Sequence, residues 1–410
     1  MTIAISTPEM KLSSPLVQHK RKALSFVQRG LLLLVILLTA LPVLAQAVPD
    51  PTAVTLPAPT GAYSVGRTIF EWTDTSRDEI YSDVDGEMRE LVVWIWYPAE
   101  PAADAQPAAY TPGLMGDLLE QGFGLNTDHI LAEAFADEPI AGTSEQYPVL
   151  VFSHGNGSLL PFYSALLVEL ASHGYMVVGI QHTYNAPITV FADGRVITAN
   201  ADEVSSESVQ YWSEDTAFVI DQLEALNVGS DQFAGRLDLS HLGVFGHSFG
   251  GAAAAEFCLS DSRCDAGVNI DGSYSGAAVE QGVTQPFMQV FSDTTCEQVV
   301  ASGGIPSLEA CQQILQQNQT GWQNIFETAV PSYSVRIAGS RHATFSDGPF
   351  LQSLVPQFAD GATIDSERAW RITSDYLLGF FNHYINNEDV VLLDGPSSDY
   401  PEVTFERREN

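Results

Sequence analysis

No lysine follows Lys22 in this 410-residue chain. Residues 1–47 hold five of the 17 basic residues and one of the 51 acidic ones, so the remainder carries 12 arginines against 50 carboxylates, a formal charge of −38. A surface so short of positive charge excludes nucleic acid and anionic membranes as partners held by bulk electrostatics. Solubility explains the acidity, and so does a salty medium that screens the self-repulsion. Cysteine is also scarce: Cys258, Cys264, Cys296 and Cys311 are the only four. No Cys-x-x-Cys occurs and the histidines lack metal-ligand spacing, so neither zinc nor another cofactor is expected. No internal repeat is visible.

An apolar run long enough to span a bilayer is missing as well. The candidate, Leu31 to Ala45, is short and contains Pro42. Behind Lys20, Arg21, Lys22 and Arg29, and ahead of Ala45-Gln46-Ala47, it reads as a signal peptide over 1–47, cleaved after Ala47. That implies a secreted or periplasmic protein with no stable membrane insertion after cleavage. The basic region is longer than usual, and an uncleaved anchor is the alternative. In an exported protein the cysteines are disulfides before they are metal ligands. Three connectivities exist; Cys258–Cys264 with Cys296–Cys311 is favoured because each pair brackets a single loop.

The remaining chain divides into a proline-rich leader (48–62), expected to be extended and mobile, one domain (63–388) and an irregular C-terminal tail (389–410). Tyr63 to Trp72 and Arg89 to Pro98 read as antiparallel strands. Ala99 to Gln146 is an irregular excursion with one helix candidate near Thr127 to Ala136, or else part of a lid. From Pro148 onward strands and helices alternate. Pro148–Ser153 is a strand, Pro161–His173 a helix, and Tyr175–Ile180 a strand, a crossover unit that demands a parallel sheet. A small hairpin follows around Ala192-Asp193-Gly194. Val209–Leu226 is a helix with Trp212, Val219, Leu223 and Leu226 on its apolar stripe. Trp94, Trp96 and Trp212 read as core.

Leu242-Gly-Val-Phe-Gly-His-Ser-Phe-Gly-Gly251 then runs from a strand candidate into an alanine-rich helix candidate. That context makes Gly246-x-Ser248-x-Gly250 a nucleophile elbow, with the helix N-terminus aimed at charge developing beside Ser248. Later strands end at Asp271, at Asp293 and just before His342. Serine, then acid, then histidine at successive strand ends is the order of an α/β-hydrolase: a mostly parallel central sheet, helices on both faces, antiparallel N-terminal strands. Ser248 needs a base to accept its proton and His342 needs a carboxylate to fix its tautomer; Asp271 and Asp293 compete for that task. Backbone N–H groups of Phe249 and Asn156 are the candidate oxyanion donors. His154 reads as ordering the loop around Asn156, His182 as structural or substrate-facing, and His247 as simply the variable position within the elbow.

Ser153-His154-Gly155-x-Gly157, Tyr163-Ser-Ala, Leu170-Ala-Ser-His-Gly174, Gly246-His-Ser-Phe-Gly-Gly251 and Gly339-Ser-x-His342 together resemble the platelet-activating factor acetylhydrolase family, the secreted phospholipase A2-like type, and its bacterial relatives. The resemblance spans about Tyr63 to Tyr384. It implies calcium-independent hydrolysis of short or oxidised acyl esters, with small-molecule or lipid esters as partners, and puts the acid at Asp271. Gly272 beside Asp271 supports that choice, and the cysteine-bracketed insertion after Asp293 weighs against the other. The insertion, the Gln181-His182-Thr-Tyr stretch and the lysine-free surface depart from the pattern and leave the ester open. A cutinase-like or polyester hydrolase on the same site is the runner-up. A non-catalytic binding protein that kept the fold is the alternative from another class.

Overall fold

The computed structural model describes residues 53–143, 145–200, 206–229, 232–301, 303 and 305–409. The signal peptide over 1–47 and its cleavage site lie outside these. Ten strands share one sheet: β1 Ser64–Asp78, β2 Met88–Ala99, β3 Phe135–Ala136, β4 Tyr147–Ser153, β5 Met176–Gln181, β6 Leu237–His247, β7 Ala266–Ile270, β8 Phe287–Phe291, β9 Ser332–Ile337 and β10 Val403–Arg408. Their order across the sheet is β10-β9-β8-β7-β6-β4-β5-β2-β1-β3. Strands β4 to β9 pair in parallel. β1, β2 and β10 pair antiparallel at the two sides. The main helices are α1 Leu114–Phe123, α2 Ser164–Ser172, α3 Ser206–Gly229, α4 Phe249–Ser260, α5 Cys296–Ala301, α6 Leu308–Thr328 and α7 Ser366–Tyr384.

The side-chain period of two divides each central strand between two cores. Leu150 and Phe152 of β4 pack with residues of α2 and α7, including Leu167, Leu170, Phe380 and Phe381. Val149 and Val151 pack on the other face with Val219 and Leu223 of α3 and Phe257 of α4. Strands buried on both faces read as continuous apolar runs, which is why β4 and β5 are visible in the sequence. Trp94, Trp96 and Trp212 are buried, as the core assignment expects. The hairpin near Gly194 forms from Ile188–Val190 and Val196–Thr198. Asp365 caps α7 by accepting from the Arg368 N–H at 3.0 Å, which fixes where this helix starts.

Three expectations are corrected. The described part of the leader is held rather than loose: Val54 and Thr55 pair with Ile130 and Leu131, Leu56 is buried, and the Gly61 N–H donates to Ser172 Oγ at 3.0 Å. In the excursion the helix is α1, not Thr127 to Ala136. Met115 and Leu119 bury one side of α1 at i, i+4 spacing, and Gly124 ends it in the left-handed conformation. The tail is not irregular, because Val403–Arg408 adds to β9 as an antiparallel edge. Only Phe405 of that strand is buried. An edge strand needs little apolar sequence, and its charged residues hide it from a hydropathy reading.

Candidate active site

β6 ends in the elbow. Ser248 has φ 56°, a left-handed conformation that costs a non-glycine residue about 1–3 kcal/mol. The turn closes so tightly that a Cβ on Gly246 would lie 2.2 Å from the Gly250 carbonyl carbon. One on Gly250 would lie 2.1 Å from the Ser153 carbonyl oxygen at the end of β4. Ser248 caps α4, whose first N–H groups have no partner within the helix. Asp271, just past β7, is the second strained residue here, with φ 48°.

His342 lies in the short 3-10 turn His342–Phe345 beyond β9. Its Nε2 is 3.0 Å from Ser248 Oγ and its Nδ1 is 2.7 Å from Asp271 Oδ2. Asp271 Oδ1 accepts from the Ser292 N–H at 2.7 Å. Burial pushes the Asp271 carboxyl up, but the His342 bond and charge and the Ser292 bond outweigh it and hold it below its ordinary value. A charged carboxylate therefore receives the Nδ1 proton and leaves Nε2 free to accept from the serine hydroxyl. Asp293 is brought elsewhere. It is exposed, and its Oδ2 accepts from the Gly339 N–H at 3.1 Å.

The β4 loop lies against the serine. A Cβ on Gly155 would lie 3.0 Å from Ser248 Cβ, a tight contact that glycine avoids. Asn156, the next residue, is exposed. His247 has more to do than a variable position would. It is buried, and burial, then the neighbouring His342, push its imidazole down to about 3. Its Nε2–H donates to the His342 carbonyl at 3.0 Å, so its Nδ1 accepts from the Tyr163 hydroxyl at 2.8 Å. Tyr163 in turn accepts the Gly155 N–H at 3.3 Å. One neutral histidine thus ties the histidine turn to the β4 loop. The tie spans long sequence separations, and the pentapeptide gives no sign of it.

A cavity of about 580 Å³ opens beside Ser248 and His342. The cysteine-bracketed insertion and the helix α6 that runs on from it form much of its wall, through Val299 and Ile305 of the first and Ile314, Leu315 and Trp322 of the second. Cys296 bonds Cys311 and so fastens α5 to α6, and Cys258 bonds Cys264. Both pairings are those expected. Among the described residues none of the 99–146 excursion lines this cavity, and no group of three or more His, Cys, Asp or Glu residues could hold a metal.

The model of the family platelet-activating factor acetylhydrolase, isoform II, matches residues 51–221 and 219–398. The chain belongs to this family. A probable 1-alkyl-2-acetylglycerophosphocholine esterase of Arthroderma benhamiae is 28% identical over 87% of this chain and 94% of its own length. The platelet-activating factor acetylhydrolase of Cavia porcellus is 24% identical over 81% of this chain and 78% of its own. Among solved structures, a ferulic acid esterase from Streptomyces cinnamoneus matches with TM-score 0.71 and 27% identity, covering 86% of this chain and 99% of that one. This member of the family is an ester-hydrolysing enzyme on the α/β-hydrolase fold, which removes the reading as a non-catalytic binding protein. No helix among its described residues is long and apolar enough to cross a membrane.

Proposed function

We propose that the protein is an exported serine hydrolase that cleaves short-chain or oxidised acyl esters through an acyl-enzyme formed on Ser248. The observation that carries this reading is the relay from Ser248 through His342 to Asp271, at 3.0 and 2.7 Å, on a strained elbow that opens into a cavity. Ser248 gives its proton to His342 Nε2 as its Oγ attacks the acyl carbonyl. Backbone N–H groups of Asn156 and Phe249 receive the oxyanion, the second supported by the N-terminus of α4. His342 then hands its proton to the leaving alkoxide. Water, deprotonated by the same imidazole, attacks the acyl carbonyl, and the imidazolium returns that proton to Ser248 Oγ as the acid leaves. Asp271 keeps the proton on Nδ1 throughout and stabilises the imidazolium.

The cavity supports a compact acyl group, and the family match supports a lipid ester or a small ester as its carrier. A series of p-nitrophenyl esters of increasing chain length, run in EDTA beside a short-chain glycerophosphocholine, tests the reading. Hydrolysis should persist in EDTA and fall as the acyl chain lengthens. A strict calcium requirement or a preference for long-chain triglycerides would contradict it, and activity on polymeric esters above all others would favour the cutinase-like alternative.

A further inference from the structure

A second relay lies buried behind the β4 loop. Arg89 sits at the start of β2, fully enclosed, and its Nε and Nη2 donate to Asp215 Oδ1 and Oδ2 at 3.1 and 2.6 Å. Arg77 adds a bond to Asp215 Oδ1 at 2.9 Å. Asp215 Oδ2 accepts from His182 Nδ1 at 2.8 Å, and His182 Nε2 lies 3.0 Å from Ser153 Oγ. Arg89 Nη1 reaches Glu79 Oε2 and the Thr183 carbonyl, each at 2.8 Å. One guanidinium therefore holds the side chain of His182 through Asp215 and its backbone through Thr183.

That backbone has a task. The His182 N–H donates to His154 Nε2 at 3.1 Å, which forces the His154 proton onto Nδ1, where it donates to the Gly155 carbonyl at 2.7 Å. The Gly155 N–H is already taken by Tyr163, so Gly155 is gripped on both sides. A trans peptide plane sets its N–H opposite its C=O. Fixing the Gly155 carbonyl on His154, beside the Ser158 N–H that donates to the same oxygen at 3.0 Å, therefore turns the Asn156 N–H away from His154. The same cluster supports the other proposed donor: Trp212 stacks on His182 with centroids 3.7 Å apart and meets Phe249 edge-on at 4.9 Å.

We propose that the Arg89–Asp215–His182 cluster, acting through His154, is the positioning device for the oxyanion donors of Asn156 and Phe249. The inference depends on the serine-hydrolase reading above. Burial pushes His154 down to about 3 and, against the pull of Asp215, His182 to about 4. Both imidazoles stay neutral, as the directions of their bonds require.

The test is kcat per active site, counted by fluorophosphonate titration, in full-length His154→Phe, His154→Gln and Asp215→Asn. His154→Phe should lower kcat roughly 10²-fold, the cost of one misplaced oxyanion donor, while KM moves less than about threefold. Affinity for an alkyl boronate, whose tetrahedral adduct needs the same donors, should fall in parallel. Glutamine can both accept and donate at this position, so His154→Gln should recover roughly tenfold. Asp215→Asn should show the same pattern with a loss of about tenfold. A purely structural role would lower Tm and the number of titratable sites but leave kcat per site and boronate affinity unchanged. That outcome in His154→Phe or, should that variant not fold, in Asp215→Asn overturns the proposal. A wild-type protein that never reacts with fluorophosphonate would strike the serine-hydrolase reading instead.

Discussion

In the cleft, His342 stands 3.0 Å from Ser248 and 2.7 Å from Asp271; in the interior, His182 stands 3.0 Å from Ser153 and 2.8 Å from Asp215. By distance alone the two relays are interchangeable, and their surroundings separate them. The His342 side chain is 51% exposed and that of His182 is 0% exposed. Ser248 is strained at a helix N-terminus beside a cavity, whereas Ser153 ends an ordinary strand. Asp271 has a histidine and one backbone N–H, but Asp215 faces two arginines as well as its histidine. A serine–histidine–aspartate relay becomes a catalytic device through access and preorganised donors; without them the same bonds brace the interior.

Substitution should split the two relays most sharply in turnover. Ser248→Ala and His342→Ala are expected to lower kcat by about 10⁴-fold or more, and Asp271→Asn by about 10⁴. Ser153→Ala should cost at most about tenfold. Steady-state kinetics on one short ester decides this, and comparable losses at Ser153 and Ser248 would erase the distinction.

In stability the order should reverse. Asp215→Ala leaves Arg89 buried without its main partner and should cost about 3–5 kcal/mol. Asp271→Ala leaves behind, besides the Ser292 N–H, only His342, whose half-exposed side chain water can reach, and should cost much less. Urea unfolding monitored by tryptophan fluorescence measures both, and equal losses would mean that the buried relay carries no special structural weight.

Acid should find the interior first. His154 and His247 stay neutral down to about 3 and His182 to about 4, in each case because burial opposes the charge. The unfolded chain takes up these protons near pH ~6.5. Between those limits the unfolded state binds more protons, so stability complete above pH ~6.5 should fall as pH drops, by more than about 1.4 kcal/mol per unit. Asp215 and Asp271, both held below their ordinary values, lose their contributions only at still lower pH. Unfolding midpoints between pH 7 and 4 check this, and a flat profile would contradict it.

The smallest effect is expected at the rival acid. Asp293→Asn should lower turnover tenfold or less, about 1.4 kcal/mol, since its carboxylate holds the Gly339 N–H rather than His342. A loss near 10⁴ would hand it the role given to Asp271.

Much of the cleft was legible because its chemistry is local. An apolar strand, two glycines around a serine and an alanine-rich helix announce the elbow within a dozen residues. The histidine and two competing acids follow because parallel strands bring their carboxyl ends to one edge; the family resemblance and Gly272, not the topology, favoured Asp271 over Asp293. The interior relay was not legible, since Arg89 and Asp215 are 126 residues apart and no short motif joins them. One clue was present: Asp215 falls between Trp212 and Val219 on the apolar stripe of α3, where an acid needs a buried partner. Strand β10 escaped notice because one phenylalanine suffices to seat it.

Mass-spectrometric mapping of the adduct left by a fluorophosphonate probe tests the central claim most directly. The account predicts a single modified serine, Ser248, with no label on Ser153 despite its matching relay. Label on Ser153, or an active enzyme with Ser248 unmodified, would contradict it.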